Sequence, residues 1–314
     1  MIFEFNNKKN INVMNFIEIK DVVKQYDGHL ALDRVSMDVP EGIIYGLLGP
    51  NGAGKTSLIR IINMITKPDS GEVLLGGKPL QPSDVAQIGY LPEERGLYKK
   101  MKVGDHIVYL ARLKGVDKAT AVQRMNQWLE RFDLTEWRDK KVEALSKGMQ
   151  QKVQFIATVI HEPRLLIFDE PFSGFDPVNA EQLKQEILRL KDQGSTILFS
   201  THNMESVEAI CERITLINSA RVVLEGSVAA IKQEHKKHLY EIEQVDRAAT
   251  LPTNDALYSI EQTTRNSTLI RLNDGVASRD VISWLNEHVQ LAGFHELLPS
   301  MNEIFIETVK ALKS

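Results

Sequence analysis

Apolar and polar residues alternate over Phe16 to Ile19 and again over Val35 to Val39, with Gly28 between them. This pattern predicts two half-buried strands of an antiparallel meander. Ile43 to Leu48 is instead a continuous apolar run that stops at a glycine-rich turn, as in a strand buried on both faces and feeding a helix. Lys55 to Met64 supplies that helix. Apolar residues recur at spacings of three and four over Val103 to Lys114 and Thr120 to Phe132, which predicts a helical insertion spanning about residues 93–160. Arg164 to Phe168 and Thr196 to Ser200 are two more buried strands, separated by a helix over Ala180 to Gln193. The core is therefore a parallel βαβ sheet, and the fold class is α/β. Cys211 is expected as a buried residue of a helix over Val207 to Ile214.

Near Gly226 the pattern changes. A polar helix over Val228 to Lys237 precedes alternating segments at Leu239 to Ile242, Ala256 to Glu261 and Thr268 to Leu272. A helix over Ser278 to Val289 follows, then a strand over Phe294 to Leu298 and a helix opened by Ser300 with Glu303 three residues on, a capping-box pattern. The chain thus divides into a tail (1–13), a large α/β domain (14–236) and a small α+β domain (237–314).

Lys and Arg number 38 against 42 Asp and Glu, and the net charge of -4 gives no general attraction to nucleic acid or to an anionic bilayer. The longest apolar stretches, such as Gly42 to Leu48, fall far short of the roughly 20 residues that span a bilayer. Met1 to Val13 has no apolar core of the kind a secretory signal needs, and the single Cys211 excludes an internal disulfide, so a reducing cytosol is expected.

Gly49-Pro50-Asn51-Gly52-Ala53-Gly54-Lys55-Thr56 fits G-x-x-x-x-G-K-[ST] and lies between a buried strand and a helix, the context this motif requires. Its glycines let the backbone curl so that successive N–H groups and the helix N-terminus, including that of Ser57, meet a phosphate chain. Lys55 suits the β- and γ-phosphates of ATP, and the Thr56 hydroxyl suits Mg²⁺. Leu165 to Glu170 is an apolar strand ending in two carboxylates, where a doubly wound sheet presents groups to its ligand. Asp169 is the candidate for Mg²⁺, and Glu170 for polarising an attacking water.

Leu145-Ser146-Lys147-Gly148-Met149-Gln150-Gln151-Lys152 makes the assignment narrower, because here the chain resembles the ATP-binding cassette (ABC) family, whose signature is LSGGQ. The resemblance implies that Ser146 and the Gly148 amide act on ATP held by a second cassette, in a homodimer or a heterodimer. Ser173-Gly174-Phe175-Asp176 stands at the family's D-loop, and His202 at its switch histidine, where an imidazole can donate a hydrogen bond to a γ-phosphate. Tyr26 stands at the A-loop, whose aromatic stacks on adenine.

Two departures stand out. Glu93, in Gly89-Tyr90-Leu91-Pro92-Glu93, replaces the Q-loop glutamine; it can still ligate Mg²⁺ or its water but adds negative charge beside a triphosphate. Lys147 and Met149 replace Gly and Gln of the signature. The run Leu91 to Tyr98, the Ser-Lys-Gly-Met signature and the appended domain look like the sodium-extrusion and drug-resistance branch of bacterial ABC exporters. That resemblance implies a motor on the cytoplasmic membrane face, driving separate permease subunits through the segment Glu93 to Met101, with Leu97 and Tyr98 as docking candidates. The cargo stays open among sodium, drugs and others. The alternative is a soluble ABC protein of translation or DNA repair; the first usually carries two cassettes in one chain and the second long coiled coils, and neither feature is present.

Overall fold

The computed structural model describes residues 15–94, 96–246 and 249–312. The expected tail over 1–13 lies outside them, as does Arg95 of the run Leu91 to Tyr98. Two compact units result, one ending at Gly226 and the other beginning at Ser227.

In the first unit, β1 (Asn15–Tyr26) and β2 (His29–Pro40) form the meander, longer at both ends than the alternation alone marked. The buried strand β3 (Ile44–Leu48) leads through the glycine-rich turn into α1 (Lys55–Ile62). That helix stops two residues before Met64, which turns left-handed with φ of 55°. A hairpin follows, β4 (Ser70–Leu75) and β5 (Lys78–Pro79), then β6 (Ile88–Leu91). The insertion comprises α2 (Val103–Leu113), α3 (Lys118–Arg131) and α4 (Lys147–Val159). The chain re-enters the core as β7 (Leu165–Asp169), α5 (Pro177–Asp192), β8 (Thr196–Thr201), α6 (Met204–Ile210), β9 (Arg213–Asn218) and β10 (Arg221–Ser227).

The six-stranded sheet runs β10-β9-β3-β8-β7-β6, parallel from β9 to β6, and the four-stranded antiparallel sheet runs β2-β1-β4-β5. Ile17, Val39, Leu58 and Ile62 from the meander and α1 share one core with Tyr45, Leu47, Ile167 and Leu198 of the parallel strands. Aromatic contacts tie the insertion to the same sheet: Phe155 of α4 lies 5.8 Å from Phe132 and 5.5 Å from Phe168 of β7. The helix expected over Val207 to Ile214 forms only as far as Ile210. α6 ends at Ile210, Cys211 is extended though buried, and Glu212 donates to the Ile44 carbonyl at 2.9 Å, because these residues open strand β9 beside β3.

His106 of α2 is fully buried against Tyr98, with ring centroids 5.7 Å apart, and neither ring nitrogen has a hydrogen-bond partner. Burial pulls its pKa down to about 4 from an ordinary 6.5. The unfolded chain therefore takes up a proton near pH 6.5 that the folded chain refuses until about pH 4, and stability is lost as pH falls through that window. Lowering pH from 7 to 5 is expected to cost wild type about 1 to 2 kcal/mol more than His106→Leu. Urea unfolding of both chains at the two pH values checks this; equal losses would remove His106 as the cause.

In the second unit, α7 (Val228–Glu234) precedes β11 (Leu239–Gln244), β12 (Tyr258–Thr263), β13 (Thr268–Leu272), α8 (Ser278–His288), β14 (Leu291–Leu297) and α9 (Met301–Ala311). The sheet order is β12-β13-β11-β14, antiparallel throughout, and Val281 and Leu285 of α8 pack on Tyr240, Ile242 and Ile270. Ser300 and Glu303 form the capping box at the start of α9. Helix α7, placed in the large domain by the sequence pattern, falls within this unit.

Candidate functional site

The turn between β3 and α1 needs its glycines. Gly49 and Gly54 adopt φ of 150° and 118°, and a Cβ on them would sit 2.2 Å from the Ile217 carbonyl oxygen and 2.3 Å from that of Ala31. Gly54 caps α1 without a side-chain hydrogen bond and the first turn carries no acidic residue, which leaves its backbone donors for an anion. Lys55 is only 7% exposed, and its Nζ donates to the carbonyls of Gly49 at 2.6 Å and Pro50 at 3.2 Å. Burial lowers the pKa of its ammonium, while Glu170, Asp169 and Glu93 act in the opposite direction.

Those carboxylates face the same cleft, of about 300 Å³, lined by Tyr26, His29, Ala31, Asn51, Gly52, Ala53, Gly54, Lys55, Thr56, Ser57, Glu93, Asp169 and Glu170. Tyr26 reaches it from the end of β1 and is 38% exposed, with the Lys24 ammonium 5.3 Å from its ring centroid. Asp169, at the buried end of β7, accepts a hydrogen bond from Ser200 Oγ at 2.8 Å. Burial nevertheless pushes its carboxyl above the ordinary range.

Glu170 follows in the left-handed region, with φ of 50°, and its N–H donates to the Ser200 carbonyl at 2.9 Å. This uncommon conformation for a residue with a side chain costs on the order of 1 kcal/mol and turns the carboxylate back toward β8. There Oε2 accepts from Thr201 Oγ1 at 3.0 Å, and Oε1 accepts from the His202 N–H at 2.9 Å and lies 2.5 Å from His202 Nδ1. Against a carboxylate, Nδ1 carries the proton. The two residues predicted for catalysis are thus in direct contact.

Ser146 and Gly148 are not in this cleft. Ser146 caps α4, accepting the Met149 N–H at 3.3 Å, and is exposed, while no atom lies within 4 Å of where a Gly148 Cβ would sit. One cleft therefore holds the loop, Tyr26 and the three carboxylates, and the signature residues face elsewhere.

Several contributors escaped the sequence pattern. His29 and Ala31 line the cleft from β2, and Ser200 and Thr201 orient Asp169 and Glu170 from the neighbouring strand. Gln154 donates from α4 to the carbonyls of Pro92 at 3.1 Å and Glu94 at 3.3 Å, and Gln151 donates to the Ser173 carbonyl. Only the strand-end position of Ser200 and Thr201 signalled a role.

The residues present fit a magnesium nucleotide: a backbone cradle too tight for any Cβ at two positions, a buried ammonium, and hard oxygen donors at Thr56 and Asp169 beside it.

A family profile described as "ABC transporter" matches residues 32–173, and one described as "ATP-binding protein DrrA1-3-like, C-terminal domain" matches residues 226–309. The chain is 42% identical over 296 residues to the uncharacterized ABC transporter ATP-binding protein YhaQ of Bacillus subtilis, covering 94% of this chain and 99% of that one. It is 31% identical over 236 residues to the lipopolysaccharide export system ATP-binding protein LptB of Escherichia coli K12, covering 72% and 97%. A solved structure described as the ATP binding subunit of an ABC transporter superposes with a TM-score of 0.66 at 31% identity, covering 70% and 92%. The chain belongs to the ABC transporter ATP-binding subunits, and it is an ABC-type ATPase, the motor subunit of a transporter. Members of the family pair with membrane permease subunits; among the described residues here no helix is long and apolar enough to cross a membrane.

Proposed function

We propose that this chain is the motor of an exporter, held on the cytoplasmic membrane face by separate permease subunits, with ATP closing two cassettes and hydrolysis releasing them. The observation that carries the mechanism is the geometry around Glu170: one carboxylate, fixed by Thr201 and His202, in the same cleft as the buried Lys55. In this reading Gly49, Pro50 and residues 51–57 wrap the phosphates, Lys55 faces the β- and γ-phosphates, and Tyr26 stacks on adenine. Thr56, Asp169 and Glu93 hold Mg²⁺, which supplies neutralisation of phosphate charge. Glu170 takes the proton of the attacking water, and His202 Nδ1–H on Oε1 keeps that carboxylate aimed. The exposed Ser146 and the half-buried Gly148, both away from the cleft, complete the site of the second cassette. Export rather than uptake is supported by the named function of LptB, a lipopolysaccharide export ATP-binding protein.

Completion in trans has a direct test. Lys55→Ala and Ser146→Arg chains are each expected to lose hydrolysis, since every homodimer site is then broken. Mixed, they form heterodimers with one intact composite site, and ATPase activity is expected to return in part. If the mixture stays as inactive as its parents while light scattering shows dimers, the site is not shared.

A further inference from the structure

Glu93 brings a third carboxylate to a cleft that already holds Asp169 and Glu170. Lys55 is the buried cation they face, and all three act on it electrostatically. The backbone on either side of Glu93 is fixed, because the buried side chain of Gln154 donates to the carbonyls of Pro92 at 3.1 Å and Glu94 at 3.3 Å. A nucleotide entering without a metal adds several negative charges to this arrangement, which one ammonium cannot balance. With a divalent cation the same carboxylate becomes a hard oxygen donor to the ion or its water. Resting on the assignment of this cleft to magnesium nucleotide, we infer that Glu93 makes a divalent cation obligatory for nucleotide binding: the chain takes metal-bound ATP and rejects metal-free ATP, where a glutamine would admit both.

Glu93 is exposed and lines the open cleft; at the effective dielectric of charges near a protein surface, removing one unit charge near the phosphates changes the affinity of an anion about tenfold or more. The test is calorimetric titration of the full chain with ATP, in Mg²⁺ and in EDTA, for wild type, Glu93→Gln and Glu94→Gln. Wild type is expected to lose most of its affinity in EDTA. Glu93→Gln is expected to recover about tenfold or more of that loss, while binding no tighter than wild type in Mg²⁺. Glu94→Gln removes the same charge from a neighbour that is exposed like Glu93 but does not line the cleft, and it is expected to leave the ratio of the two affinities unchanged. The inference is overturned if Glu93→Gln keeps the wild-type ratio, or if Glu94→Gln shifts it equally. A parallel arm with Lys55→Ala separates the two levels: unchanged affinity there in Mg²⁺ would remove the cleft as the ATP site, whereas loss there with an unmoved Glu93→Gln ratio would remove only the role of Glu93.

Discussion

Glu170→Gln is expected to slow ATP hydrolysis by about 10² to 10⁴-fold while leaving ATP affinity near wild type. The amide keeps the shape of the carboxylate, and its oxygen can still accept from the His202 N–H and from Nδ1–H, as Oε1 does now. Its nitrogen then lies toward Thr201, whose hydroxyl can turn from donor to acceptor. The local frame survives and the negative charge does not. Because the phosphate contacts are made by other residues, closed dimers are expected to accumulate with bound ATP, visible as a rise in dimer mass on adding nucleotide. Wild-type turnover in this variant would take the role of general base away from Glu170.

Lys55→Ala acts at the other end of the same cleft. The ammonium holds the loop by bonds to Gly49 and Pro50 and opposes three carboxylates. Without it, the carboxylates face an incoming triphosphate uncompensated. ATP affinity in Mg²⁺ is expected to fall about a hundredfold or more, measured by calorimetry. Hydrolysis falls with it, which separates this variant from Glu170→Gln, where binding persists. Unchanged affinity would exclude Lys55 from the phosphate contact.

The parts of the cleft built from contiguous residues were legible before any coordinates. Residues 49–56 and Leu165 to Glu170 each combine a buried strand with the polar groups it delivers, and both facts lie within ten residues of chain. What the pattern missed comes from pairing between strands distant in sequence. Ser200 meets Asp169 across 31 residues, and Gln154 meets Pro92 across 62, and neither leaves a periodic trace. The start of α5 was misplaced for a different reason: Asp176 accepts from Val178 and Asn179 and Pro177 takes the first helical position, a local signal outweighed by the apolar spacing that begins later. Residues 211–214 read as helix because the extended start of β9 is decided by β3, which arrives more than 160 residues earlier.

Helix α4 carries Ser146 at its first end, grips the carbonyls flanking Glu93 through Gln154, and holds the Ser173 carbonyl through Gln151. These attachments sit on one rigid rod of 13 residues, so none can shift far without dragging the others. The rod works as a lever. In the proposed cassette dimer, a pull on Ser146 from the nucleotide of a neighbouring cassette would be felt at Glu93 and at Ser173, on the carboxylate side of this chain's own cleft. On that proposal the two ATP molecules of a pair would be geared together, each reporting its presence to the machinery that cleaves the other.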